Sequence, residues 1–264
     1  MQEQEEQQSS MGFDGGGPDH DRLREHAADF TPEPVVEQFI RHLARFRPPP
    51  ELVLDPSCGP GVFGKVIRRV WPKAIVVGIE PRTEEMEHAL RNNHRVLNTE
   101  YDHAISSGLL FVTLRELADK IGREDASFDL VVTNPPFPLW RDFVVDSLGV
   151  LVDMERPYPG YLALLGLNGW GSRSEDGFNL FEELYPTRQS RIPGTINFRG
   201  PGINPKTKKK WSSDSRDYSW WQWSMRAVAR VLQQPEHRIP WACENLPRLP
   251  GDARKWTVKP GTED

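Results

Sequence analysis

Three stretches of this chain place polar side chains where an apolar run breaks off. In "LVLDPSCGPGVFG", Asp55 and Pro56 precede a turn with Gly59, Gly61 and Gly64 at G-x-G-x-x-G spacing. Such a turn lets the backbone approach a ligand closely, and the helix that follows favours an anionic group at its start. On spacing alone a nicotinamide dinucleotide would fit. Asp55 shifts that reading, because a carboxylate there meets a pyrophosphate unfavourably but accepts well from an ammonium group. Glu80 ends the next apolar run, "AIVVGIE", where it can accept from both hydroxyls of a ribose. A nucleoside carrying an amino acid suits both acids better than a diphosphate does. The third stretch is "VVTNPPF", with Asn134, Pro135, Pro136 and Phe137. Its two prolines forfeit two backbone donors and fix two φ angles, so the strand stops with an amide and a ring at its tip.

The elements that must hold these tips alternate. "FTPEPVVEQFIRHLARF" predicts a helix with Thr31 as N-cap and Pro32 in its first turn, its apolar residues at helical spacing. Strands are expected at "ELVLD", "AIVVGIE", "GLLFVTL", "SFDLVVT" and "YLALLGL", with helices at "VFGKVIRRVW", "TEEMEHALRNN" and "WRDFVVDSLGVLVDM". Strands alternating with helices argue for a parallel sheet covered on both faces. Beyond Gly166 the pattern loosens, with further strands expected at "SRIPGTINF" and "YSWWQWSM" and a Pro-rich, irregular end. The expected organisation is a disordered acidic and Gly-rich tail (1–27), a catalytic domain (28–232) containing a basic loop (199–217), and a Pro-rich extension (233–264).

The 264 residues can bury a full core, and 27% charged with 37% hydrophobic residues suits a protein in water. No apolar run approaches the roughly 20 residues that span a bilayer, and "MQEQEEQQSS" lacks the character of a signal peptide. Two cysteines without zinc-site spacing point to a reducing, cytoplasmic setting and to no metal. The net charge of −5 conceals an asymmetry: between Thr187 and Arg230 ten basic residues face only Asp214 and Asp217. A basic block in an acidic protein is the footprint expected for phosphate contact.

The order of glycine turn, acidic second strand tip and Asn-Pro-Pro-Phe resembles the S-adenosylmethionine-dependent amino-group methyltransferases, and most of all the compact phage and prophage DNA N6-adenine enzymes. The resemblance covers roughly residues 29–226. It implies an α/β fold, the Rossmann-like seven-stranded class I methyltransferase sheet with helices on both faces. It also implies S-adenosylmethionine as cofactor and DNA as partner, with the target base flipped out of the duplex. By this resemblance Asn134, Pro135, Pro136 and Phe137 form the catalytic motif, with Asp55, Pro56, Gly59, Gly61, Glu80, Thr31 and Pro32 around the cofactor. "INFRGPG" and "DYSWWQW" look like late segments of the phage-type members, which makes Phe198 the candidate second ring around the flipped base. Tyr218, Trp220, Trp221 and Trp223 read as core. Lys206, Lys208, Lys209 and Lys210 are the candidate phosphate contacts, giving salt-sensitive and largely sequence-independent affinity. In one place the chain departs from the family's pattern: the third expected strand ends "VTLRELAD", where neither Thr113 nor Asp119 is an assured match for the polar residue that contacts the cofactor's adenine.

Other readings share parts of this pattern. Enzymes that methylate guanine or adenine in RNA, or a glutamine amide in protein, also grip a planar amino group with Asn-Pro-Pro-aromatic. A nucleic-acid-binding module that keeps the fold without catalysis would need none of the three polar tips. A nicotinamide oxidoreductase leaves the Asn134 turn unexplained.

Overall fold

A computed structural model of the protein describes residues 30–151, 158–173, 175–196, 198, 216–233 and 242–249. The expected N-terminal tail and the four lysines Lys206, Lys208, Lys209 and Lys210 lie outside these residues. The strands are β1 (Leu52–Asp55), β2 (Ile75–Ile79), β3 (Arg95–Leu97), β4 (Leu130–Thr133), β5 (Tyr161–Leu167), β6 (Arg188–Ile192), β7 (Tyr218–Ser224) and β8 (Ala242–Asn245). They form a single sheet in the order β3-β2-β1-β4-β5-β7-β6-β8. β7 is antiparallel to both neighbours and the other pairs are parallel. The expected Rossmann-like sheet is therefore present with one strand more. Ala242–Asn245, in the segment expected to be irregular, adds β8 beside β6.

The helices are α1 (Glu33–Leu43), α2 (Val62–Val70), α3 (Met86–Asn92), α4 (Tyr101–Ser106), α5 (Leu109–Lys120), α6 (Trp140–Gly149), α7 (Trp170–Arg173), α8 (Glu175–Glu183) and α9 (Met225–Gln233). Strand alternation divides the core into two layers. On one face Leu54, Val77, Val131, Leu162 and Trp223 pack with Tyr101, Leu114, Phe143, Val144 and Phe181. On the other Val53, Val76, Val132, Ala163 and Trp220 pack with Val36, Phe39, Ile40, Val66 and Ile67. Trp220 stacks on Phe39 with ring centroids 4.1 Å apart. Tyr218, Trp220, Trp221 and Trp223 are all buried, as their reading as core requires.

Two elements differ from expectation. "GLLFVTL" is no strand: it opens α5, whose buried residues Leu110, Thr113, Leu114 and Ala118 follow a helical repeat. Leu109, Phe111 and Val112 face outward instead, so an apolar run long enough for a strand was half solvent face. The third strand is the three-residue Arg95–Leu97, too short to announce itself in sequence. At α1, Pro32 rather than Thr31 is the N-cap, and no side chain caps the helix.

The order β3-β2-β1-β4-β5 reverses direction between β1 and β4. In open parallel sheets the crevice outside the carboxyl ends at such a reversal is where ligands bind. Asp55 ends β1 and Thr133 ends β4, with Asn134 next in the chain, so two of the three polar tips flank that crevice.

Candidate active site

β1 and β4 run side by side, Val53 opposite Leu130 and Leu54 opposite Val131, so their tips leave the sheet as neighbours. Ser57 clamps them together. Its hydroxyl pairs with the Thr133 hydroxyl at 2.7 Å and donates to the Asn134 carbonyl at 3.1 Å. Asp55 beside it is completely buried. One carboxylate oxygen faces the Ser57 amide at 3.4 Å, while Oδ2 has no hydrogen-bond partner. Burial pushes this carboxyl up to about 7; the Thr133 hydroxyl and Ser57 amide oppose the rise, and the charge of Glu80 adds to it.

The turn after Pro56, which is itself buried, needs its glycines for geometry. Gly59 and Gly61 hold φ of 52° and 85°, the left-handed region that penalises other residues. Gly64 serves packing instead, because a Cβ there would lie 2.1 Å from the Asn93 side chain behind α3. The Gly59 amide donates to Glu80 at 2.9 Å, which joins the glycine turn to the tip of β2.

Glu80 is 2% exposed. Its Oε1 accepts from the Arg82 amide at 2.9 Å and Arg82 Nε at 2.7 Å, and its Oε2 from Gly59 and from Arg82 Nη2 at 3.0 Å. With β3 placed at Arg95–Leu97, the residue following the third strand is Asn98. Its side-chain amide donates to the carbonyls of Glu80 and Pro81 at 2.8 and 3.2 Å. Thr113 and Asp119, the candidates left unmatched in sequence, lie along α5.

The Asn134 side chain also ends in an unsatisfied atom: its Oδ1 is buried and lacks a partner. Phe137 begins a 3₁₀ turn (Phe137–Leu139) that leads into α6, and the Pro136 carbonyl is used by the Leu139 amide at 2.9 Å. The Phe137 ring sits 6.0 Å from Tyr218, with the Arg216 guanidinium 5.5 Å above its centroid. Neither Ser57, Arg82 nor Arg216 stood out as a site residue in the sequence. Ser57 and Arg82 each lie two residues beyond an acid, and that proximity was the available signal.

Thr31 and Pro32 are buried at the start of α1. The Phe30 amide donates to the Phe198 carbonyl at 3.0 Å, and the Phe30 ring lies 3.2 Å from where a Gly59 Cβ would sit. This N-terminal element thus borders the glycine turn. Phe198 is 4% exposed and packs edge-on against Tyr218 at 4.9 Å. To stack on a base it would have to leave that packing, whereas Phe137, just past the tip of β4, is only half-buried. Among the described residues no cluster of His, Cys, Asp and Glu could hold a metal ion, and no helix is long and apolar enough to cross a membrane.

No family model matches the chain, and a search of curated protein sequences finds no match. Comparison with solved structures finds similar architectures. A predicted O-methyltransferase from Agrobacterium tumefaciens shares 16% identity at a TM-score of 0.46, with 83% of this chain and 86% of that chain covered. The S-adenosylmethionine-dependent O-methyltransferase from Thermotoga maritima shares 15% at 0.44, covering 76% and 69%. The plantazolicin methyltransferase BpumL, solved with S-adenosylhomocysteine, shares 16% at 0.43, covering 78% and 90%.

Proposed function

We propose that this protein is an S-adenosylmethionine-dependent methyltransferase that acts on the exocyclic amino group of adenine in DNA. The observation that carries this reading is a pair of buried acceptor atoms without partners, Asp55 Oδ2 and Asn134 Oδ1, on neighbouring strand tips at the sheet's switch point. A buried acceptor left bare costs about 1–3 kcal/mol, so its retention on both tips is best explained by donors that arrive with ligands. S-adenosylmethionine fits this set of donors and acceptors. Its ammonium group would face Asp55, its ribose Glu80, and its adenine the neighbourhood of Pro81 and Asn98.

The cofactor supplies a methyl group made electrophilic by a sulfonium; everything else falls to the chain. An adenine amine is a poor nucleophile because its lone pair is delocalised into the ring. Asn134 Oδ1 and the Pro135 carbonyl are the acceptors for its two N–H bonds, drawing nitrogen toward tetrahedral geometry and freeing the lone pair. The prolines hold these acceptors fixed, so little reorganisation accompanies the developing charge. Phe137 offers a face to the base, worth about 1–3 kcal/mol of stacking. A duplex base would have to leave the stack to reach this site, and Lys206, Lys208, Lys209 and Lys210 would hold the flanking phosphates.

The test is methyl transfer from labelled cofactor to duplex DNA, ribosomal RNA and protein, with nucleosides from DNA of expressing cells resolved by mass spectrometry. N6-methyladenine is expected in DNA. Label on RNA or protein alone would move the substrate while leaving the cofactor chemistry, and no label anywhere would refute the enzyme.

A further inference from the structure

Glu80 is the acid meant for the cofactor's ribose, yet both its oxygens are already occupied. An ionised carboxylate has about four acceptor positions, and here each oxygen carries one backbone N–H and one guanidinium N–H. Oε1 takes the Arg82 amide and Arg82 Nε; Oε2 takes the Gly59 amide and Arg82 Nη2. The two backbone donors belong to the turn and the strand tip and would stay in place. Removing the guanidinium would then free one position on each oxygen, side by side, which is what two adjacent hydroxyls require. The fork also covers the approach, because Arg82 Nη2 lies 3.7 Å from a Cβ built on Gly59 and the guanidinium sits 5.4 Å from the Phe30 ring centroid.

We propose that Arg82 is an internal competitor of the cofactor: its guanidinium fork occupies the diol-binding positions of Glu80 in the free protein and must swing off before a nucleoside can dock. The proposal rests on the cofactor reading above and adds the residue that sets its affinity. Arg82 has somewhere to go. Its side chain is 25% exposed and therefore near solvent. Glu84 and Glu85 lie two and three residues further on, in the short 3₁₀ turn that Arg82 caps, close enough for their charges to act on the guanidinium. The arrangement is a two-position arginine, held by a buried acid when the pocket is empty and by exposed or half-buried acids when it is filled. Apparent affinity is then the intrinsic affinity scaled by the fraction of molecules with the fork off Glu80.

The experiment measures binding of S-adenosylhomocysteine, which lacks the sulfonium charge, by calorimetry and stopped-flow to wild type, Arg82→Met and Arg82→Lys, each checked for fold by far-ultraviolet circular dichroism. Met keeps an apolar stem against Phe30 and loses the fork; Lys keeps the charge but cannot span both oxygens. Arg82→Met should bind about tenfold more tightly and associate faster, with Arg82→Lys between it and wild type. The gain should vanish for the 2′,3′-dideoxy analogue, which has no diol to place on Glu80. Equal or weaker binding by a folded Arg82→Met, or the same gain for the dideoxy analogue, would overturn the proposal and leave the cofactor reading standing. If neither wild type nor the variants bind S-adenosylhomocysteine, the cofactor reading falls and the competitor with it.

Discussion

Asp55 and Asp129 stand at opposite ends of adjacent strands, and they have opposite fates. Asp129 precedes β4 at the amino edge of the sheet. Its Oδ2 accepts from the Glu51 amide at 2.8 Å, the Leu52 amide at 2.9 Å and Arg123 Nη1 at 3.0 Å. Through this one oxygen, which gathers three donors, it ties the starts of β1 and β4 together. Asp55 ends β1 at the carboxyl edge, entirely buried, with one oxygen bare. A cavity of about 350 Å³ lies at the amino edge, lined by Pro48, Trp71, Asp129 and Tyr158. The acceptors left wanting donors at these strand ends, on Asp55 and Asn134, are at the other edge. Asp129 draws donors from its own chain and ties two strands together, whereas Asp55 keeps one interior oxygen without a donor.

Isosteric replacements test this contrast most sharply, since they should change stability in opposite directions. The Asp55 carboxyl, held up to about 7 by burial, ionises near 4 in the unfolded chain. Between those values the folded protein binds the extra proton, so its stability falls as pH rises through that window and the loss is complete above about pH 7. Asp55→Asn should remove this fall, stabilising the ligand-free protein by as much as roughly 4 kcal/mol at pH 8 while abolishing tight cofactor binding. Denaturant melts at pH 5 and pH 8 read both signs. Asp129→Asn should instead destabilise by about 2–3 kcal/mol at either pH, because it weakens the acceptor of two backbone amides and leaves a guanidinium poorly matched.

Asn134→Ala is expected to lower single-turnover methyl transfer by about 10²–10³-fold and to leave cofactor affinity within a few-fold, since it removes only the acceptor for the substrate amine. Cofactor affinity should itself weaken by about tenfold per unit as pH falls below about 7, because the ammonium group requires an ionised Asp55. Calorimetry in buffers of different ionisation enthalpy should show proton release in that range. The smallest effect belongs to Phe137→Ala, which loses a stacking face worth about 1–3 kcal/mol in acceptor binding and should leave the cofactor titration unmoved.

The three tips were readable because each combines a strand's end with a residue type that makes little sense in a core. Asp55, Glu80 and Asn134 follow apolar runs, and glycines or prolines punctuate them. Such signals are local, and they survive in one dimension. The third strand failed for the converse reason. Three residues beginning with Arg95 carry no period, while "GLLFVTL" has an apolar density that a helix with exposed Leu109, Phe111 and Val112 can share. Asn98 is hidden for the same reason, since its place at the end of a strand shows only once Arg95–Leu97 pairs with β2. β8 went unseen because a four-residue edge strand among prolines acquires its meaning from β6 beside it.

The sequence alone determined the alternating architecture, the carboxyl-edge position of the polar tips and the stiffness of the Asn-Pro-Pro-Phe turn, because periodicity, glycine and proline act through nearest neighbours along the chain. Tertiary structure decided which acceptors are already spent. Arg82 saturates Glu80, Phe198 is folded away against Tyr218, and Asp55 and Asn134 each retain a bare oxygen. Hydrogen-bond satisfaction depends on which donors the fold brings within about 3 Å, and that distance is settled only when separate strands and turns meet.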